Sequence, residues 1–201
     1  MKQTTQEWHE YRGRRITASQ FVCVLAKPTT KRYLEYMNDI IESINGVPYF
    51  DCEKPWFRHG KEMEDEAMSF YEWRVQREIE RFGGDNPKLF VHPKYNFIGC
   101  SPDGLDGGEG GVEIKCHKSL NQFLISEERG IPTQYIPQVQ GSLWITERKW
   151  WNFVSYYRKE EARLIHIHCV YPDIEYHKRL ETACLDFWAK IQEKILEHFD
   201  K

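Results

Sequence analysis

Asp103, Glu113 and Lys115 are the residues whose types and spacing suit a reaction. Asp103 lies in Ser101-Pro102-Asp103-Gly104, a turn that follows the extended run Asn96–Cys100. Glu113-Ile114-Lys115 comes after the glycine-rich stretch Gly107–Gly111, which reads as a hairpin returning Glu113 to the side of Asp103. Alternate side chains of a strand share a face, so Glu113 and Lys115 point together while Val112, Ile114 and Cys116 point into apolar packing. An acid and an amine side by side on a half-buried strand are costly unless something uses them. A lone E-x-K is ordinarily a solvated pair; the preceding Pro-Asp and the strand order set this one apart. Magnesium takes oxygen ligands and keeps several waters, so two or three carboxylates suffice to hold it. Such a centre activates water and tolerates charge on a phosphate ester, so metal-dependent phosphodiester hydrolysis is the implied chemistry.

Helical geometry picks out a third carboxylate. Trp56 to Phe82 reads as one long amphipathic helix ending at Gly83-Gly84. At about 100° per residue, Met63, Ala67, Met68, Phe70, Tyr71, Val75 and Phe82 fall on one side, and Glu64 falls among them. Glu62, Asp65, Glu66 and Glu72 lie outside that sector and read as a solvated face. A carboxylate directed at a core needs a partner, either a metal ion or a structural arginine. Gln140 neighbours Leu143 and Trp144 on a later helix and reads as inward-pointing, whereas Gln138 falls on another face. Near the N-terminus, Thr17 and Ser19 are expected to cap a short helix carrying Phe21, Val22, Val24 and Leu25. Its free N–H groups, with Arg12 close in sequence, make an anion site. Arg14 and Arg15 read equally as backbone contacts to a polyanion or as solvated surface.

The elements that must position these residues follow from pattern and punctuation. A helix is expected over residues 33 to 44, stopping at Asn45-Gly46. Extended runs cover Lys88–His92, Asn96–Cys100 and Gly111–Cys116. Pro137 suits the first turn of a helix reaching about Ile145. Lys149–Tyr157 and Leu164–Tyr171 read as strands, and Asp173 begins a closing helix of about 25 residues. That helix, with Leu180, Leu185, Trp188, Ile191 and Ile195, serves either a core or a subunit contact. The order implies an α/β fold with a mixed central sheet flanked by helices. The expected organisation is one domain over 1–201: a helical segment at 1–55, a catalytic core at 56–171 and the closing helix at 173–200.

Composition bounds the partners less tightly. The net charge of −3 argues against a protein that merely coats nucleic acid, though metal-binding carboxylates lower the count where a site would need them. Six cysteines without a C-x-x-C pair read as free thiols of a reducing cytoplasm. Neither a membrane span nor a signal peptide is expected. His166-x-His168-Cys169 lacks a second ligand pair and reads as sheet-surface histidines, not a zinc site. Trp150-Trp151 and Tyr156-Tyr157 suit packing better than base stacking.

One ordered series makes the reading specific. Trp8-His9, Arg12, Ile16-Thr17-Ala18-Ser19, Gly60-Lys61, Glu64, Cys100-Ser101-Pro102-Asp103-Gly104-Leu105, Glu113, Lys115-Cys116 and Gln138-Val139-Gln140 lead on to Trp144 and an aromatic strand. This series resembles the lambda-type phage exonucleases, the YqaJ-like viral recombinase branch of the PD-(D/E)xK nuclease superfamily. The likeness runs from Trp8 to about Tyr157, and the closing helix matches only in general character. It implies a restriction-endonuclease-like core. It makes Glu64, Asp103, Glu113 and the Ile114 carbonyl ligands of two Mg²⁺ ions, for which Mn²⁺ substitutes. Lys115 would orient or deprotonate the attacking water, or stabilise developing charge, with Gln140 close to that water. Arg12 and Ser19 would hold the 5′-phosphate of the digested strand, and Thr17 and Ser101 would be further substrate-binding residues. Phe57 stands where the family places an apolar wedge that parts terminal base pairs, although an ordinary helix-start contact explains it equally well.

The implied activity is 5′→3′ digestion of double-stranded DNA to mononucleotides. A ring-shaped homotrimer, a single-strand annealing partner in phage-type recombination and a host-cytoplasmic location come with that resemblance. Two alternatives remain: an endonuclease of the same superfamily, and a DNA-end-binding protein without catalysis. The intact Asp103, Glu113 and Lys115 argue against the second.

Overall fold

A computed structural model describes residues 2–3, 5–47 and 55–199, leaving aside the side chains of 55–62 and 198–199. The chain opens with α1 (Gln6–Gly13), β1 (Ile16–Thr17), a 3-10 turn at Ala18–Gln20, α2 (Phe21–Val24), α3 (Lys31–Ile44) and α4 (Pro55–Val75). Short strands β2 (Glu80–Arg81), β3 (Phe90–Val91), β4 (Ile98–Cys100) and β5 (Gly104–Asp106) lead into β6 (Gly110–Cys116). Then come α5 (Leu120–Arg129), α6 (Ile136–Thr146), the hairpin β7 (Trp150–Lys159) and β8 (Ala162–Val170), and α7 (Ile174–Phe199).

The main sheet has the order β2-β5-β6-β7-β8, parallel only between β6 and β7, and a smaller sheet has the order β1-β4-β3. This is the expected α/β fold with a mixed central sheet. One face of the main sheet buries Val112, Ile114, Val154 and Tyr156 against Ala67, Met68 and Tyr71 of α4. On the opposite face, Leu105, Trp151 and Phe153 pack against Val139 and Leu143 of α6. The third core joins β1, α2, α3 and β4 to α7, where Leu180, Cys184, Phe187 and Ile191 are fully buried. Tyr33 meets Phe187 edge-on at 4.7 Å. The apolar stripe of α7 is therefore core, apart from Leu185, which is exposed. No helix among the described residues is long and apolar enough to cross a membrane.

Two boundaries differ from the sequence pattern for tertiary reasons. Helix α4 stops at Val75, seven residues before Phe82, because Gln76 takes a left-handed φ of 54° and the chain turns into β2. The Glu72 carboxylate fastens this turn by accepting from the Ile79 N–H at 3.1 Å and pairing with Arg81. Phe82 still reaches the core, but from beside a strand, edge-on to Phe90 at 5.7 Å. Similarly, Ile16 and Thr17 do not open a helix. They pair in parallel with Ile98 and Gly99, and the helix begins later and is only four residues long. Helix α5 is not among the elements expected from the sequence; Ser119 caps its start, with Oγ accepting from the Gln122 N–H at 3.3 Å.

Candidate active site

The site lies where the main sheet loses a neighbour. Strand β5 pairs with β6 only as far as Gly104 opposite Val112. One residue before Gly104, the Asp103 carboxylate takes over the role of a paired strand. Its Oδ2 accepts from the Ile114 N–H at 2.6 Å. The N–H and C=O of one strand residue point the same way, so the Ile114 carbonyl faces this open edge as well.

Glu64 arrives from α4, one turn before Ala67 and Met68, and its carboxyl is hydrogen-bonded to that of Asp103. Burial, followed by the Glu64 charge, holds the Asp103 carboxyl well above the usual carboxylate range. Burial also raises Glu64, against the pull of its hydrogen bond to Asp103. Both acids are half-buried, and placing them together disfavours ionising both at once.

Glu113 and Lys115 project from β6 toward α6. Glu113 is 2 % exposed, and its Oε1 accepts from both Lys115 Nζ and Gln138 Nε2 at 2.6 Å. Its Oε2 is buried with no hydrogen-bond partner. Burial and the nearby Asp103 charge push the Glu113 carboxyl up to about 7, although Lys115 and Gln138 pull the other way. Burial would lower the Lys115 ammonium, but the charges of Glu113 and Asp103 outweigh it and leave the group protonated at neutral pH.

Among the described residues, no three acidic, histidine or cysteine side chains form a ready-made metal cage. Even so, the donor set fits a hard cation. An orphaned carboxylate oxygen, a close pair of carboxyl groups and an edge-facing carbonyl are oxygen donors whose mutual repulsion a divalent ion would relieve.

The structure does not bring the Gln140 amide to these carboxylates. Gln140 donates to the Tyr171 carbonyl at 3.0 Å, and its Oε1 accepts from the Asp173 N–H at 3.0 Å and meets His177 Nε2 at 2.9 Å. It ties α6 to the start of α7 and does not contact Glu113; Gln138 does. Helix α6 buries most of its circumference, including Pro137, Val139, Gln140, Gly141, Ser142, Leu143 and Ile145. "Inward" is therefore not one direction on this helix. A Cβ on Gly141 would meet the Phe21 ring at 2.4 Å, so α6 is wedged against α2 while Gln138 faces the sheet.

The N-terminal residues do assemble. Arg12 Nη2 donates to Ser19 Oγ at 2.7 Å, and Thr17 Oγ1 lies 3.4 Å from Ser19 Oγ. Arg12 and Thr17 line a small cavity with His9, Gln20, Tyr36 and Asp39. Neither Thr17 nor the residue before α2 makes a side-chain cap, so any anion affinity here rests on the guanidinium and hydroxyls, not on a helix end. Arg14 and Arg15 bond to backbone carbonyls at the surface. Arg14 donates to the Ser43 carbonyl at 3.3 Å; Arg15 donates to the Asn96 and Tyr11 carbonyls and lies over the Tyr11 ring. Ser101 Oγ donates to the Lys88 carbonyl at 3.0 Å. The Phe57 side chain lies outside the described residues.

The remaining aromatic and histidine signals are absorbed by packing. Trp151 and Tyr156 are fully buried. His166 and His168 lie ring to ring at 4.3 Å, and His168 Nε2 is 3.0 Å from the Ser126 carbonyl oxygen.

Comparison with solved structures finds the same fold in an alkaline exonuclease (LHK-Exo) from Laribacter hongkongensis, with 27% identity and a TM-score of 0.83. The match covers 95% of this chain and 94% of that one. The same enzyme in complex with dAMP matches with 26% identity and a TM-score of 0.82, at the same coverage. A phage-related exonuclease from Haemophilus somnus 129PT shares the fold at 13% identity, TM-score 0.61, over 90% of this chain and 96% of that one. A search of curated proteins by sequence finds no match. Residues 7–149, which carry every candidate site residue, match the YqaJ-like viral recombinase domain, and the chain belongs to that family.

Proposed function

We propose that this protein is a Mg²⁺-dependent exonuclease that digests one strand of duplex DNA from its 5′ end. The observation that carries the reading is Glu113: a buried carboxylate held by Lys115 and Gln138, with its other oxygen left without a partner beside the Asp103–Glu64 pair. Leaving such an oxygen unpartnered in a folded core costs free energy, and a divalent cation bound there would offset that cost.

Glu64, Asp103, Glu113 and the Ile114 carbonyl would hold two Mg²⁺ ions, with Mn²⁺ as a substitute. When bound, these ions supply an activated water and neutralise charge on the phosphate. The Lys115 ammonium faces the same point and stabilises the negative charge that builds on the phosphoryl oxygens. Gln138 and Lys115 together fix Glu113 so that its free oxygen stays turned to the site. Arg12, with the Ser19 and Thr17 hydroxyls, binds the terminal 5′-phosphate through charge-assisted hydrogen bonds. Water adds to phosphorus, the P–O3′ bond breaks, and the leaving 3′ oxygen takes a proton. The products are a nucleoside 5′-monophosphate and a strand one nucleotide shorter, again ending in a 5′-phosphate for Arg12. The dAMP in the LHK-Exo complex is a nucleoside monophosphate, the class of molecule such a reaction would release.

From the family we further propose a homotrimer enclosing the duplex, a single-strand annealing partner in recombination, and action in the host cytoplasm. The test is incubation of linear duplexes with 5′-phosphate, 5′-hydroxyl or closed ends in Mg²⁺, followed by identification of products. Mononucleotides released from 5′-phosphorylated ends are expected. Cleavage of the closed substrate would assign the protein to the endonucleases instead.

A further inference from the structure

Lys115 has a neighbour that its ion pair does not require. Its Nζ lies 5.2 Å from the centroid of the Tyr135 ring. Tyr135 immediately precedes α6, and its ring leans on Phe153 at 5.6 Å, the β7 residue paired with Glu113. Its backbone N–H is fixed to the Pro132 carbonyl at 2.8 Å. Three residues further, on the same face of the helix, Gln138 donates to Glu113. The first turn of α6 thus touches both members of the pair, a ring on the cation and an amide on the anion.

A lysine ammonium is a compact charge on a flexible stem with three rotatable donors. One carboxylate restrains it from a single direction. The negative face of an aromatic ring attracts it from a second, and partial burial strengthens that attraction. We propose that Tyr135 is a positioning residue, its ring holding the Lys115 ammonium against Glu113 in the geometry that hydrolysis uses. The inference rests on the nuclease reading for its catalytic consequence, but not for the placement of Lys115.

Removing the ring should lower kcat about tenfold, which is about 1.4 kcal/mol of transition-state stabilisation. KM should stay within about twofold, because the ground-state phosphate contacts lie elsewhere. The experiment compares wild type, Tyr135→Phe and Tyr135→Leu in two ways. Initial rates on 5′-phosphorylated duplex in Mg²⁺ should show Tyr135→Phe near wild type and Tyr135→Leu reduced in kcat alone. Lysine-labelled, metal-free protein is then examined by ¹³C NMR, with the Lys115 signal assigned by its loss in Lys115→Arg. The ring current should displace the Lys115 side-chain resonance in wild type and Tyr135→Phe, and release it in Tyr135→Leu. Equal loss of kcat in both variants would assign the effect to the hydroxyl and overturn the proposal. So would an unchanged kcat, or an unmoved Lys115 resonance, in Tyr135→Leu. An inactive wild type would retire the nuclease reading and with it the catalytic role, while the NMR comparison alone decides whether the ring holds the ammonium.

Discussion

Replacing Glu113 by glutamine should stabilise the metal-free protein, and the sign of the pH dependence makes this a sharp test. Burial and Asp103 raise the Glu113 carboxyl from its ordinary 4.5 to about 7 in the fold. The folded state therefore binds more protons than the unfolded chain between those values. A raised carboxyl gives stability that is fully present below 4.5 and lost as pH climbs through 7. Above pH 7 the ionised group costs about 3 kcal/mol, at 1.36 kcal/mol for each tenfold in proton affinity. Glutamine resembles the protonated acid and can still accept from Lys115 and Gln138, so Glu113→Gln avoids this cost. For a chain of this size the gain corresponds to a melting temperature roughly 6–12 °C higher at pH 8. The assay is thermal unfolding of both proteins in EDTA at pH 8 and pH 4.5. The gap should be wide at pH 8 and nearly closed at pH 4.5. Added Mg²⁺ should raise wild type and leave the variant largely unmoved, since only a folded site binds the ion. A variant no more stable than wild type at pH 8 would refute the claim that Glu113 is held under electrostatic strain.

Other expectations follow from the same geometry. Gln138→Ala should slow turnover roughly ten- to a hundredfold with little change in stability, because a misplaced Glu113 disturbs the reacting geometry. Gln140→Ala should instead lose about 1–3 kcal/mol of stability while each folded molecule stays active, as read by urea unfolding and active-fraction assays. The reverse pattern would restore Gln140 to the site. Arg12→Ala should erase the preference for 5′-phosphate over 5′-hydroxyl ends with only a modest fall in affinity, measured by competition between the two substrates. Retained discrimination would move the end pocket elsewhere. For Phe57→Ala, a wedge role predicts slow digestion of blunt duplex and recovery on a duplex with a mismatched 5′ end. Equal slowing on both would make Phe57 a helix support.

The legible parts of the site were those fixed by local chain geometry. A hairpin and a period-two strand suffice to put Asp103 beside Ile114 and Glu113 beside Lys115, because every contact lies within about a dozen residues. Glu64 was legible for a related reason, since its angular position among Ala67, Met68 and Tyr71 follows from the helix alone. Residues decided by distant partners were not. Gln138 and Gln140 sit two positions apart on a helix with neighbours on most sides, and periodicity cannot say which neighbour is the sheet and which is α7. The end of α4 depended on pairing between Arg81 and Gly104, far along the chain. Arg14 and Arg15 stay at the surface, as one of their two readings had it, and their bonds to the Ser43 and Asn96 carbonyls depend on partners far along the chain. Strand β5 was hidden by its own residues, as Gly104, Asp106 and the following glycines read as turn and not as ladder.

The central claim is that Glu113, Asp103 and Glu64 form a divalent-metal centre for digesting DNA from a 5′-phosphorylated end. It is tested most directly by following a linear duplex labelled separately at its 5′ and 3′ termini, in Mg²⁺ and in EDTA, with wild type and Asp103→Asn. The account predicts early release of the 5′ label as a mononucleotide, late release of the 3′ label, no release in EDTA, and a loss of at least ~100-fold in the variant. Release of either label in EDTA, or an Asp103→Asn protein that digests as wild type does, would contradict it.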